Sequence, residues 1–74
     1  MTTTIIKAGQ IYEHKYSPMK VCITYVDAYE IRLIRQDGKT YNKFTELDAD
    51  LWWKLLAEYP TWQEAVNSKE FKGE

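Results

Sequence analysis

The side chains best suited to chemistry in this sequence are its single histidine, His14, and its single cysteine, Cys22. His14 follows Glu13 near the end of an apolar-polar run and has no nucleophile beside it in the sequence. A catalytic histidine needs a hydrogen-bonded partner and a cleft, so the pattern favours a surface histidine. Cys22 has no cluster of basic residues beside it that would lower its pKa. We therefore expect it to act as a small apolar side chain in a strand.

Metal and phosphate sites are not indicated either. One cysteine and one histidine cannot supply the four Cys/His ligands of a structural zinc site. The acidic residues lack the alternating spacing of a calcium loop, and the three isolated glycines do not form a phosphate-binding loop. The sequence therefore predicts no enzyme, no metal and no cofactor.

Basic and aromatic side chains do combine in the middle of the chain, at Arg32, Ile34, Tyr41 and Lys43. On an exposed sheet face, such side chains can stack on a base and contact phosphates. The alternative is an ordinary solvated face, because Lys and Arg stems routinely cover such patches. These four residues are our candidate partner-binding face.

Trp53 is a fifth candidate for partner binding. It follows Trp52 directly and lies at the edge of the apolar stripe that a helix would form here. A tryptophan outside the buried stripe suits a partner surface. The alternative is that Trp53 closes the rim of the core.

A hairpin must position the four residues of the candidate face. Asp37-Gly38 separates two alternating runs, which is typical of a two-residue type I′ turn. That turn would place Arg32 opposite Lys43 and Ile34 opposite Tyr41. Because like charges directly opposite each other are destabilising, an anionic partner would explain the Arg32–Lys43 pair. Neutralisation by Glu30, or by another acid of the chain, is the structural alternative.

Two more strands are predicted before the hairpin, at 9–15 and 19–26, with Pro18 interrupting the chain between them. Only a three-residue connection at 27–29 gives one continuous apolar face, and burial strongly specifies register. That face would carry Val21, Ile23, Tyr25, Ile31, Leu33 and Phe44. The opposite face would carry Cys22, Thr24, Val26, Arg32, Ile34, Tyr41 and Lys43.

After Phe44 the apolar period changes from two to about 3.6 residues, which predicts a helix over 48–59, capped by Asp48 and stopped by Pro60. Its buried stripe would comprise Leu51, Trp52, Leu55, Leu56 and Tyr59. A capping box of Thr61 with Glu64 predicts a short second helix that ends at about residue 67. Residues 1–8 and 68–74 are expected to fray, although Phe71 could tuck back.

These elements predict an α+β fold in one domain over 1–74. Three or four antiparallel strands would be covered by a C-terminal Trp-rich helix and the short second helix. Strands this short and twisted often curl toward a partly open, SH3-like barrel. Without disulfides, a chain of 74 residues must gain its stability from aromatic mass or from homo-oligomerisation.

The formal net charge of −1 argues against a dedicated duplex-DNA binder, which normally carries a basic excess. The N-terminus lacks the pattern of a signal peptide, and no apolar run approaches the roughly 20 residues of a membrane span. We expect a cytoplasmic protein with reduced Cys22 and no membrane partner.

The run Gly9-Gln10-Ile11-Tyr12-Glu13 resembles the opening strand of small SH3-like modules. Together with Asp37-Gly38-Lys39 and the segment Glu58-Tyr59-Pro60-Thr61-Trp62, the chain resembles short uncharacterised proteins encoded by phages and prophages of Gram-positive bacteria. The resemblance implies a viral accessory role without catalysis and transfers no site residues. We expect a non-enzymatic, phage-derived interaction module that binds a host or phage protein. The alternative is a weak nucleic-acid-binding module that uses the candidate face.

Overall fold

In the described part of the chain, five strands form one open antiparallel sheet in the order β4-β3-β2-β1-β5. The computed structural model describes residues 6–73, so most of the N-terminal segment expected to fray, and residue 74, lie outside the described residues. In chain order, the elements are β1 (Gln10–His14), β2 (Lys20–Val26), β3 (Ile31–Arg35), β4 (Thr40–Tyr41), α1 (Glu46–Trp52), β5 (Trp53–Glu58), α2 (Trp62–Val66) and α3 (Lys69–Lys72). The α+β class is confirmed, but the sheet has five strands where the sequence predicted three or four.

The register between β2 and β3 is the predicted one in its first half. Ile23 lies opposite Leu33, and Cys22 lies opposite Ile34. The register then shifts between Ile23 and Tyr25, which leaves Thr24 as the extra residue of a β-bulge. Beyond the bulge, Val26 packs against the core while Tyr25 is exposed, so the prediction that Tyr25 shares the apolar face is wrong.

The hairpin at Asp37-Gly38 exists, but its turn differs from the predicted type I′ turn. The Gly38 amide donates to the Arg35 carbonyl at 3.0 Å, and the Arg35 amide donates to the Lys39 carbonyl at 2.8 Å. Among the described residues, only glycines have positive φ, with Gly38 at 89°. This is a three-residue loop, a type I turn followed by a left-handed glycine. It moves the pairing by one residue, so that Tyr41 lies opposite Leu33.

The predicted helix over 48–59 is wrong in its second half. The helix α1 begins two residues earlier, where the Thr45 hydroxyl accepts from the Asp48 amide at 3.1 Å, and it ends at Trp52. Residues 53–58 form β5, which pairs with β1 through Tyr12–Leu55 and His14–Trp53. Pairing supplies hydrogen bonds that the β1 edge would otherwise lack, and that gain outweighs local helix propensity.

The corner between α1 and β5 is fixed by backbone contacts. The Lys15 amide donates to the Trp52 carbonyl at 2.8 Å, and the Lys15 ammonium donates to the Asp50 carbonyl at 2.8 Å. These bonds satisfy carbonyls that the end of a helix leaves unpaired. Because the helix ends here, Trp52 and Leu55 are half exposed and do not anchor it to the sheet as its periodicity predicted.

The sheet is covered on both faces, which gives two cores. The first core contains Ile6, Tyr12, Val21, Ile23, Ile31, Leu33, Phe44 and Ala49, with Val26 and Trp53 packed against it. The second core contains Ile11, Cys22, Ala65 and Phe71, with Ile34, Leu56, Ala57, Tyr59, Trp62 and Val66 around it. A sheet buried on both faces lets a chain of 74 residues bury more apolar surface than one buried face would allow.

The helices α2 and α3 cover the second core. The N-cap half of the predicted capping box is present, since the Thr61 hydroxyl accepts from the Glu64 amide at 3.3 Å. The Glu64 carboxylate bonds to the same hydroxyl, at 3.3 Å. Phe71 is buried, and its carbonyl accepts from the Gln36 side chain at 2.5 Å. The segment that the sequence predicted to fray thus contains α3, and Phe71 does tuck back. Within residues 6–73, no helix has the length and apolar character needed to span a bilayer.

Candidate functional site

An open groove of about 400 Å³ lies on the face of the sheet that carries the first core. Every strand contributes at least one lining residue, and α1 forms part of its wall. Its lining residues are His14, Met19, Val21, Leu33, Arg35, Tyr41, Lys43, Phe44, Asp48, Trp52 and Trp53. We call this feature the aromatic groove.

Strand alternation places these side chains in the groove. His14 lies two residues after the buried Tyr12, and Arg35 lies two residues after the buried Leu33, so each shares a face with the core. Phe44 and Ala49 cover the middle of that face. The groove is therefore the uncovered continuation of the first core.

Aromatic rings dominate the side of the groove formed by β1, β5 and α1. The His14 ring lies edge-on to Trp53, with 4.9 Å between ring centroids, and stacks on Trp52 at 6.5 Å and 17°. Tyr16 meets Trp52 at 6.0 Å, and Trp53 meets Phe44 at 5.9 Å. Separations of this kind are favourable for aromatic pairs. Trp53 is held between the core and the groove, whereas Trp52 remains 48% exposed.

The opposite side of the groove carries two cations. The Arg35 guanidinium lies 5.7 Å from the centre of the Tyr41 ring and donates to the Tyr41 hydroxyl at 3.2 Å. The second cation is Lys43, which lies two residues after Tyr41 in the sequence and also lines the groove. Among the described residues, the one ion pair closer than 4.0 Å joins Arg32 to Glu30. Arg35 and Lys43 therefore have no carboxylate of this part of the chain within that distance.

Beneath the groove, Tyr12 belongs to a polar chain that begins in the core and ends at the exposed Glu58. Its hydroxyl donates to the Gln10 side-chain oxygen at 2.9 Å, and the Gln10 amide nitrogen donates to Glu58 at 2.8 Å. Burial, with smaller contributions from the charges of Glu58 and Asp50, raises the pKa of Tyr12 to about 12. The chain links β1 to β5 and fixes the floor on which Phe44 and Trp53 rest.

The five sequence-predicted site residues do not form one face. Tyr41, Lys43 and Trp53 line the aromatic groove. Ile34 lies on the other face, against the second core under α2 and α3. Arg32 is exposed, and its guanidinium lies 5.1 Å from the Tyr25 ring centre.

The predicted pairing of Arg32 with Lys43 is wrong, because the three-residue turn changes the register of the hairpin. Arg32 instead bonds to Glu30 at 2.6 Å, and the Glu30 carboxylate raises the pKa of Arg32. This contact is the alternative to an anionic partner, namely neutralisation of the Arg32 charge by Glu30. No anionic partner is therefore needed to explain it.

Sequence reasoning missed Arg35, Trp52, His14 and Tyr16 as neighbours in one site. The signal for Arg35 was available, since it occupies the same strand parity as Ile31 and Leu33. The grouping of His14 with the two tryptophans depends on the pairing of β1 with β5, which joins residues about forty positions apart.

Neither reactive side chain is arranged for nucleophilic catalysis. The Cys22 side chain is fully buried in the second core, and burial raises the pKa of its thiol to about 11. It is therefore a neutral thiol at pH 7. His14 accepts from the Tyr16 amide through Nδ1 at 3.1 Å and is otherwise among aromatic rings. Within residues 6–73, no group of three His, Cys, Asp or Glu side chains is arranged to hold a metal ion.

Comparison with protein-family models, with curated proteins and with solved structures finds no match to this chain.

Proposed function

We propose that this chain is a non-enzymatic interaction module that binds a segment of a partner protein in the aromatic groove. The observation that carries the proposal is the gathering of exposed rings at one groove: Trp52 and Tyr41 line it and are 48% and 46% exposed. Tyr16 is 75% exposed and contacts Trp52 from outside the lining. Tyrosine, tryptophan and arginine are enriched where protein interfaces concentrate their binding energy. The groove combines all three types beside a buried and rigid floor.

The chemistry of the reactive side chains supports a role in binding without catalysis. Cys22 is inaccessible from the groove, since it lies in the core on the other face of the sheet. His14 lines the groove but packs between aromatic rings, where it adds stacking surface. The Tyr16 amide also holds the imidazole through Nδ1, so the ring is fixed as part of the groove wall.

The resemblance to phage and prophage proteins supports a host or phage protein as the partner, and a cytoplasmic setting for the encounter. A second copy of the chain is a further candidate partner, and the concentration dependence of its sedimentation would reveal that.

A weak nucleic-acid-binding module is the second candidate function. Its supporting observation is that Tyr41, Arg35 and Lys43 lie together, so a base could stack while the cations contact phosphates. Binding of this kind weakens steeply with salt, because phosphate contacts release counterions. Salt dependence therefore separates the two candidates.

The test is affinity capture from a lysate of a Gram-positive bacterium, with and without nuclease. The bait is used in three forms: the parent chain, Trp52→Ala, and Leu47→Ala as a matched control. Leu47 is an exposed apolar side chain on the same helix, outside the lining of the groove. The proposal predicts a protein retained by the parent and by Leu47→Ala, lost with Trp52→Ala and insensitive to nuclease. Equal retention by all three baits contradicts it.

A further inference from the structure

The aromatic groove is chemically asymmetric along the sheet. Strand order places Tyr41 on β4 and Arg35 on β3 at one side, with His14 on β1 and Trp53 on β5 at the other. The cations lie at the β3–β4 side and the tryptophans at the β1–β5 side. A ligand that crosses the groove therefore meets positive charge at one end and aromatic surface at the other.

We propose that the groove selects an extended acidic segment, with a carboxylate at Arg35 and Lys43 and an apolar side chain against Trp52 and Trp53. This rests on the proposed function and names the partner's chemistry. Arginine and carboxylate groups form strong, charge-assisted hydrogen bonds that can be bidentate. Arginine and lysine side chains donate hydrogen bonds but cannot accept them, so the end of the groove with Arg35 and Lys43 does not suit a basic segment.

Arg35 is already positioned for this contact. Its guanidinium is held on the Tyr41 ring and by one hydrogen bond from Nη1 to the hydroxyl. A guanidinium has five N–H donors, so most of them remain to be offered to a ligand. Because the side chain is ordered before binding, less conformational entropy is lost when a carboxylate arrives. The Tyr41 hydroxyl can also donate its own proton to the same carboxylate.

Asp48 sets the direction of the segment. It lines the groove from α1, the element that also supplies Trp52. A carboxylate placed at the tryptophan end would approach this acid and be repelled. The acid of the partner therefore lies at the β3–β4 end, and its apolar residue lies at the tryptophan end.

The distance across the sheet predicts the spacing in the partner. From β3 to β5 there are three strand intervals, which correspond to about 14 Å at the usual separation of strands. An extended chain rises about 3.3 Å per residue and points alternate side chains to the same side. A carboxylate at position i and an apolar side chain at i+4 then span about 13 Å on one side of the segment.

A protein segment suits this groove better than nucleic acid does. The groove presents two cations and one acid, and the chain has a formal net charge of −1. Nucleic-acid-binding surfaces usually extend a basic patch along several phosphates. One or two carboxylates match two cations without requiring a longer basic surface.

The test is calorimetric titration with blocked Gly/Ser peptides that carry one Glu and one Leu, in both chain orders. The separation of Glu and Leu is varied from one to six residues, and each peptide has a twin with Gln in place of Glu. We expect the tightest binding at a separation of four, with the Gln twin about tenfold weaker or more. In Arg35→Gln, the difference between the twins should largely disappear, whereas Lys72→Gln on α3 should preserve it.

The outcomes separate the two proposals. If the Gln twins bind as tightly as the Glu peptides, or if no peptide binds, the acidic-segment inference is wrong, while the capture experiment with Trp52→Ala still decides the proposed function. If a ten-residue oligothymidylate binds more tightly than every peptide, with affinity falling steeply in salt, the ligand is nucleic acid and both are replaced. Thermal melts of Arg35→Gln and Lys72→Gln check that each variant folds. The comparison of each Glu peptide with its Gln twin needs no protein variant.

Discussion

Replacing Gly9 by alanine should destabilise the sheet far more than the same change at Gly38. Both glycines have positive φ, at 96° and 89°. A Cβ at Gly38 would meet nothing within 4 Å, whereas a Cβ at Gly9 would overlap the carbonyl oxygen of Tyr59. Gly9 precedes β1 and lies beside the residue that follows β5, since the Tyr59 amide donates to the Gly9 carbonyl at 2.9 Å. Gly38→Ala therefore measures the backbone cost alone.

The two costs can be ranked by size. A left-handed alanine costs about 1 kcal/mol in unfolding free energy, so Gly38→Ala should lower Tm by roughly 4–8 °C. Gly9→Ala adds the displacement of a backbone carbonyl and the weakening of the bonds from Gly9 to Ile23 and from Tyr59 to Gly9. Overpacking and lost hydrogen bonds bring its total to about 3 kcal/mol or more. A 74-residue domain has on the order of 4–11 kcal/mol of stability, so much of it would be lost.

Thermal and urea melts followed by circular dichroism measure both variants under identical conditions. The parent and Gly38→Ala should unfold cooperatively, with Gly9→Ala melting at least roughly 10 °C below Gly38→Ala. Equal melting temperatures for the two variants would show that β5 does not approach β1 at Gly9. The placement of Trp53, and with it the wall of the groove, would then be wrong.

Two further predictions concern the floor and the wall of the groove. Trp53→Ala should lower the free energy of unfolding by about 2–3 kcal/mol, because the ring packs on Phe44 and the core. Trp52→Ala should lower it by about 1 kcal/mol, because the Trp52 ring is half exposed. Equal losses in paired urea melts would contradict this assignment. The Tyr12 pKa is raised from 10.0 to about 12, so the unfolded chain releases this proton first as pH rises. The contribution of Tyr12 to the free energy of unfolding should therefore be fully present below pH 10 and be lost as the pH rises from 10 toward 12. Alkaline melts of Tyr12→Phe should lack this part of the pH dependence.

The first three strands could be predicted because their signals are local and burial selects the register. Pro18 separates β1 from β2, and alternation identifies Ile23 and Leu33 as partners in the core. The bulge at Thr24 was not predictable, because an extra residue in a strand requires no glycine and leaves no mark in the apolar pattern. That single residue reverses the faces of Tyr25 and Val26.

The strand β5 could not be predicted from local periodicity. The run from Leu51 to Leu56 fits an amphipathic helix as well as a short strand, and short apolar runs are ambiguous in this way. Residues 53–58 form a strand because they pair with β1, about forty residues earlier in the chain. The edge of β1 gains hydrogen bonds from this pairing. Where long-range pairing decides, helix propensity is a weak guide.

The candidate site was predictable only in part. Tyr41, Lys43 and Trp53 were identified from their residue types, and all three line the groove. Their partners depend on one residue of register in the hairpin, which a left-handed Gly38 sets in a three-residue turn. An Asp-Gly pair is compatible with both turn types, so the sequence alone could not decide which side chains Tyr41 would meet.

Partner binding on the face of the aromatic groove can be tested directly with the three tryptophans. Trp52 and Trp53 line the groove, whereas Trp62 lies on the other face of the sheet, against the second core. Each indole N–H gives a separate signal in a ¹H–¹⁵N correlation spectrum, and the signals can be followed while the captured partner protein is added. We predict that the Trp52 and Trp53 signals shift with the titration while the Trp62 signal stays in place. A shift confined to Trp62, or saturated binding without any change at Trp52 and Trp53, would contradict the account.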